Sequence, residues 1–310
     1  MSIAVGQFSH SVEMMVDDLN CQYWPESALY IVATPIGNLS DISVRALYTL
    51  QMVDMIACED TRSSKSLLNS YAIQTPLMAA HQHNEMEAAQ QIIQRLSQGQ
   101  RVALISDAGA PAVSDPGGKI VTQVRQAGFD VRPIPGASAV ITALMGSGVT
   151  DDSQPGFTFA GFVPPKSHAR QQWFEQWKKS PVAVLMFESP HRIVDSLKDL
   201  SAIVGAARQI TIARELTKRF EQMKSGSVDD VLAWIQEDDN RQRGEFVLIL
   251  SPEQGLEERD EKLVYLDTLL EVMLVQVSLK DAVKMATKLT SLSKDVVYSR
   301  ALVLKDNLAD

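Results

Sequence analysis

The sequence predicts an α/β fold in which helices cover a mostly parallel sheet, and two observations carry that prediction. Short β-rich apolar runs at 29–34, 55–58 and 102–105 each run into a Gly- or Asp-containing turn followed by helical patterning, the repeat of strand, loop and helix expected of parallel units. The chain has 310 residues, 45% apolar and 22% charged, an ordinary globular composition long enough for two or three separate cores.

Residues 1–27 hold four acids and no Lys or Arg and read as an acidic, mobile leader. Residues 28–150 read as a first α/β domain. Its strand at 29–34 ends in Pro35-Ile36-Gly37-Asn38, and Asp41 is the expected cap of a helix running through Leu50. Strands follow at 55–58, 102–105 and 129–132, with a helix near 118–127. Pro135-Gly136-Ala137-Ser138 then breaks the pattern before an Ala-rich helix to about Met145.

A polar, turn-prone stretch at 150–155 precedes a second α/β domain, residues 156–251, with strands at 157–162, 182–187, 209–213 and 245–250 and helices at 190–200 and 228–235. Residues 251–261, with five acids against Arg259, read as a solvated linker. Residues 262–308 read as a small module of three helices, at 263–273, 279–289 and 294–304, with Ser278 and Asp281 approximating a capping box. That module is either helix-turn-helix-like or a small structural or dimerising bundle.

Cys21 and Cys58 are far apart and lack partners at metal-ligand spacing, which argues against a disulfide scaffold or a zinc ribbon. No apolar run reaches about 18 residues and the first residues lack a basic-then-apolar signature, so a soluble, cytoplasmic protein is expected. The net charge of −9 at first disfavours nucleic acid, yet the leader and the linker contribute −4 each. The rest is nearly neutral, and steering fields depend on where charges lie, so a locally basic cleft is expected.

The loops that end the strands are the chemical candidates, because ligands of open α/β sheets bind there. Neither Gly-x-Gly-x-x-Gly nor Gly-x-x-x-x-Gly-Lys-Ser/Thr occurs, which removes the usual support for hydride transfer or phosphate-loop chemistry. Ser106-Asp107-Ala108-Gly109-Ala110-Pro111 and Ser114-Asp115-Pro116-Gly117-Gly118 form two Asp-bearing turns in quick succession. Asp107 suits ribose hydroxyls or an ammonium group; Asp115 either touches ligand or only fixes its turn. His81, His83 and Glu85 invite a metal reading, but no third conventional His or Cys is near and no metal is expected. Arg-rich strand ends at Arg192, Lys218 and Arg243 fit either ion-pair networks or a phosphate-bearing substrate.

The runs 29–39, Ala57-Cys58-Glu59-Asp60-Thr61-Arg62, His81-Gln82-His83-Asn84-Glu85, 106–117, Glu188-Ser189-Pro190-His191-Arg192 and Ala213-Arg214-Glu215-Leu216-Thr217-Lys218 together resemble the bacterial 16S ribosomal RNA 2′-O-ribose methyltransferases of the tetrapyrrole-methylase superfamily. The resemblance covers roughly 29–250 and continues weakly beyond; the leader lies outside it. Ala110 departs from the common Asp-Ala-Gly-Thr-Pro pattern.

The resemblance implies a two-domain class III methyltransferase fold with S-adenosylmethionine between the domains. It implies a homodimer that methylates the 2′-hydroxyl of cytidine 1402 in 16S ribosomal RNA of the small subunit. Carried onto this chain, Pro35, Gly37, Asp107, Gly109, Asp115, Ala137 and Ser138 would bind cofactor. Pairing of an acid with nearby cations suggests Glu59 as proton acceptor or orienter, with Arg62 and Lys65 stabilising the attacking oxygen or a neighbouring phosphate. His83, Lys166, Arg192, Lys218 and Arg243 would contact RNA. Two other readings compete: a small-molecule tetrapyrrole methyltransferase sharing the cofactor fold, and a noncatalytic RNA-binding or assembly protein.

Overall fold

The computed structural model describes residues 5–253, 256–290 and 292–307. Strands Ala28–Val32 (β1), Met55–Cys58 (β2), Leu77–Ala79 (β3), Val102–Ile105 (β4) and Asp130–Ile134 (β5) form one sheet in the order β3-β2-β4-β1-β5, every neighbouring pair parallel. Helices Val5–Cys21 (α1), Val44–Met52 (α2), Thr61–Ser70 (α3), Glu85–Ser97 (α4), Gly118–Gln126 (α5) and Ala139–Ser147 (α6) intervene.

Side chains alternate along a strand, so each central strand feeds two cores. Tyr30, Ile56 and Ala103 pack with Ala46, Leu50 and Leu68 from α2 and α3. Leu29, Ala57 and Leu104 pack with Ile92, Leu96, Ile120 and Val124 from α4 and α5. Each fully buried Leu, Ile or Val among them contributes about 1.5–3 kcal/mol, which explains why parallel strands covered on both sides read as continuous apolar runs.

The second sheet is mixed. Phe157–Phe162 (β6), Ala183–Glu188 (β7), Gln209–Arg214 (β8), Gln222–Ser227 (β9) and Phe246–Leu250 (β10) run in the order β6-β7-β10-β8-β9, with only β6 and β7 parallel. Ser167–Trp177 (α7), Ile193–Val204 (α8) and Val228–Gln236 (α9) cover one face, burying Phe174, Leu197 and Val231. On the other face Val140 and Ala143 of α6 pack against Leu185, Ala213 and Ile249. Helix α6 follows directly on β5, so it joins the two sheets.

Both sheets belong to one compact unit that ends at Ser251. A second unit holds Leu256–Leu274 (α10), Leu279–Thr290 (α11) and Lys294–Asn307 (α12), built around Leu266, Leu270, Val283, Ala286 and Val297. Ser278 accepts a hydrogen bond from the Asp281 amide at 3.3 Å and donates to its carboxylate at 2.6 Å, giving α11 the cap its sequence suggests.

Three expectations need correction. The acidic leader, in which no element is expected, is helical over Val5–Cys21, its first four residues lying outside the described ones. Leu19 is buried, Trp24 donates to the Leu19 carbonyl at 2.9 Å, and Tyr48 of α2 donates to Asn20 at 3.1 Å. The first C-terminal helix, expected from 263, starts at Leu256 inside the stretch read as a linker; residues 254–255 lie outside the described ones. Asp41 does not cap α2: it sits in a short turn over Leu39–Asp41, Ile42 is extended, and Ser43 takes the cap by accepting from Ala46 at 3.0 Å.

Candidate active site

The loops that end β1, β4 and β5 lie together. Thr34 and Gly109 pair through both backbone hydrogen bonds, at 2.8 and 3.0 Å, and the Thr34 hydroxyl donates to the Ser106 carbonyl at 3.2 Å. These bonds stitch the Pro35–Asn38 turn to the Asp107 loop. The second loop is anchored from below by Glu85, a buried carboxylate at the start of α4 that accepts from the Gly117 amide at 2.9 Å and pairs with Lys119 at 3.2 Å.

Against these loops stands a cavity of about 320 Å³, within the range of small-molecule sites. The first sheet supplies Gly109 and Asp115, the start of α6 supplies Ser138, and the second sheet supplies Phe187, Glu188 and Glu245. Among the described residues no Lys, Arg or His lines it. This cavity is acidic, and the cations Lys218 and Arg192 beside it are already paired.

Lys218 shows how. Its ammonium donates to Glu215 at 2.8 Å and to Glu245 at 2.7 Å. Burial works against the charge of each partner, yet the hydrogen bonds win, so the Lys218 ammonium is held above its usual range and the Glu215 carboxyl below its own. Arg192 is held likewise by Glu188, whose buried carboxylate accepts from the guanidinium at 2.7 and 3.0 Å, from the Ser189 amide at 2.6 Å and from the Ser196 hydroxyl. Glu188 thereby fixes the Ser189-Pro190 wall.

The carboxylates around the first loops influence one another. Burial pushes the Asp115 carboxyl up, a hydrogen bond with Ser106 opposes this, and Asp107 adds to the rise. Glu59, just past β2, is also raised, first by burial and then by repulsion from Asp107 and Asp115, with His81 opposing. Mutually repelling carboxylates favour a cationic ligand, and S-adenosylmethionine carries positive sulfur and an ammonium group, so the residues present fit that cofactor.

Gly109, Asp115 and Ser138 line the cavity; Pro35, Gly37, Asp107 and Ala137 lie next in sequence to the lining residues Ile36, Ala108 and Ser138 or on the same turn. Glu59 does not pair with Arg62. Arg62 instead pairs with Asp60 at 3.1 Å, which holds the Asp60 carboxyl low, and its side chain stays 91% exposed. Arg62 and Lys65 line a different depression with Asn69, Gln74 and Thr75 along α3. His83, Lys166 and Arg243 are exposed, Lys166 directly before α7. Among the described residues no group of three or more His, Cys, Asp or Glu side chains is placed to hold a metal ion. Sequence reasoning missed Glu188 and Glu245 as wall residues, although Glu188 opens the Glu188–Arg192 motif and Glu245 follows two residues after Arg243.

Two sheets joined by α6, with a ligand cavity where their loops meet, define a methylase of the tetrapyrrole type, and the chain belongs to that family: the model described as Tetrapyrrole (Corrin/Porphyrin) Methylases matches residues 28–232. A second model, described as RsmI C-terminal HTH domain, matches residues 261–305. Among curated relatives, proteins named "Ribosomal RNA small subunit methyltransferase I" are 44% identical in Haemophilus influenzae, 42% in Escherichia coli O157:H7 and 44% in Vibrio cholerae. These matches cover 88–89% of this chain and 94–96% of the relatives. A solved cobalt precorrin-4 methyltransferase shares the fold with a TM-score of 0.54 at 17% identity, over 72% of this chain and 94% of that one.

Proposed function

We propose that this protein transfers a methyl group from S-adenosylmethionine to the ribose 2′-hydroxyl of cytidine 1402 in 16S ribosomal RNA of the small subunit, acting as a homodimer in the cytoplasm. The observation that carries this reading is the 44% identity, across 96% of its length, with a curated protein named as a small-subunit ribosomal RNA methyltransferase. The likeness to a precorrin enzyme is at 17% identity and supports the fold alone. No described helix is long and apolar enough to cross a membrane.

S-adenosylmethionine, when bound, supplies an electrophilic methyl group on positively charged sulfur. Pro35, Gly37, Gly109, Ala137 and Ser138 would present backbone and small side chains to it, and Asp107 and Asp115 would hold its hydroxyl and ammonium groups. Glu59 takes the proton that the 2′-hydroxyl gives up; its raised carboxyl is a better base than an ordinary glutamate. The acidic lining favours a cation in the cavity, and the joined loops hold nucleophile and ligand in one geometry, where positioning supplies much of the rate. Arg62 and Lys65, which line a depression of their own, take RNA phosphates, with His83, Lys166 and Arg243 as further exposed contacts. Lys218 and Arg192 act on the walls of the cavity instead of on RNA.

Incubating the protein with labelled S-adenosylmethionine and small ribosomal subunits that lack the modification, then mapping the product, tests the reading. Label on the ribose of cytidine 1402 is expected; label on a base, on the large subunit or nowhere overturns it.

A further inference from the structure

The strand β6 carries an irregularity beside the cavity. It pairs with β7 from Phe157 opposite Ala183 to Phe159 opposite Leu185, but the next pair is Phe162 with Phe187, so β6 advances three residues while β7 advances two. In an unbroken strand Phe162 would share the face of Ala160, which packs into the helix-covered core. The extra residue reverses this, as a bulge does when it re-aims a side chain.

Gly161 makes the reversal possible with φ of +81°, a conformation residues with side chains rarely adopt. A Cβ there would lie 3.7 Å from the Ser114 hydroxyl, so the bulge faces the Asp115 loop of the first sheet. Phe162 emerges on the face of Phe159 and Phe187. Its ring meets Phe187 edge-on at 5.2 Å, and Phe187 lies 4.8 Å from Phe159. Phe187 is half-buried, whereas Phe162 lines the cavity and remains 58% exposed.

We propose that Phe162 is a stacking platform for the base of the nucleotide whose ribose enters the cavity, an inference that rests on the RNA-methylation reading above. A nucleotide presented to an enzyme this way leaves its neighbours in the RNA and forfeits their stacking, and an aromatic face replaces that interaction for any base. The chemistry of the rim fits a base and not a phosphate, since among the described residues no cation lines the cavity. It also separates the two ligands: Asp115 and Ser138 offer the polar groups a charged cofactor needs, while Phe162 offers an open π face steadied by Phe187.

The test compares Phe162→Leu, Phe162→Ala and Phe162→Trp with wild type, measuring kcat/KM on small subunits lacking the modification and, separately, the Kd for S-adenosylmethionine by calorimetry. Leu keeps apolar bulk without a ring face, so Leu and Ala should both lower kcat/KM about 10- to 100-fold, with the cofactor Kd changed less than about 2-fold and Trp near wild type. Wild-type rates in the Leu variant, or a cofactor Kd that weakens in parallel with kcat/KM, overturn the platform while leaving the enzyme assignment intact. A wild-type protein that leaves small subunits unlabelled overturns the functional reading and the platform with it.

Discussion

The stem of Lys218 occupies the space that any side chain at Gly37 would need: a Cβ built on Gly37 would lie 2.7 Å from both the Cγ and the Cε of Lys218. The turn after β1 and the loop after β8 are thus packed together by one methylene chain, whose charged end is pinned by Glu215 and Glu245. The backbone on the far side is itself tight, with Glu215 and Thr217 at φ of +50° and +67°. Such conformations persist when the surroundings over-determine them.

Gly37→Ala should therefore destabilise the protein by about 2–4 kcal/mol, combining overpacking with the penalty of a side chain at φ of +138°. Combining it with Lys218→Ala relieves the overpacking but not the backbone penalty, so the two changes should be non-additive by at least about 1 kcal/mol. Urea unfolding of the four proteins of the cycle measures this. Strict additivity would show that the packing of Lys218 on Gly37 carries no strain.

Asp115 gives a pH prediction. Its folded-state carboxyl is raised by burial, so the native state binds this proton more tightly than the unfolded chain, and its ionisation costs stability as pH rises past the unfolded value. Asp115→Asn should accordingly be at least as stable as wild type at pH 7. Binding of cationic S-adenosylmethionine should run the other way: the affinity of wild type should fall as pH drops through the raised pKa, and the Asn variant should bind about 10-fold more weakly at pH 7.5 with a flatter pH profile. Calorimetric titrations across a pH series that starts in the ordinary carboxylate range and ends near neutrality decide it; parallel profiles would remove Asp115 from cofactor binding.

Arg62 and Lys65 line a depression in which no described residue is a carboxylate. If they take RNA phosphates, Arg62→Gln with Lys65→Gln should lower the slope of log K against log salt by about 1.4, roughly 0.7 for each phosphate of a single strand that is no longer neutralised. The Kd for S-adenosylmethionine should not move. An unchanged salt slope would exclude both side chains from the RNA interface.

Much of this architecture is legible in the chain because buried parallel strands must be apolar throughout. Met55–Cys58 and Val102–Ile105 announce themselves in that way. Strand β9, Gln-Met-Lys-Ser-Gly-Ser, does not, since an edge strand half in solvent has no need of apolar residues. The candidate loops could be located from their Gly, Pro and Asp content, but the partners of their charges could not: whether Lys218 meets a phosphate or two glutamates depends on residues as far as 27 positions away, in Glu245. Phe162 was hidden for a different reason. Simple alternation places it in a core, and only the Gly at 161 hints that the strand changes face.

The carboxylate of Glu85 joins the start of α4 to the amide that opens α5. Breaking that bond would leave the buried carboxylate with the exposed Lys119 ammonium in place of its backbone donor, so the His81–Glu85 segment and the Ser114–Gly117 turn are expected to open as one cooperative unit. The Gly117 amide then becomes a natural reporter: its hydrogen-exchange rate follows the breathing of the whole loop pair, and a ligand that holds either loop slows exchange at both.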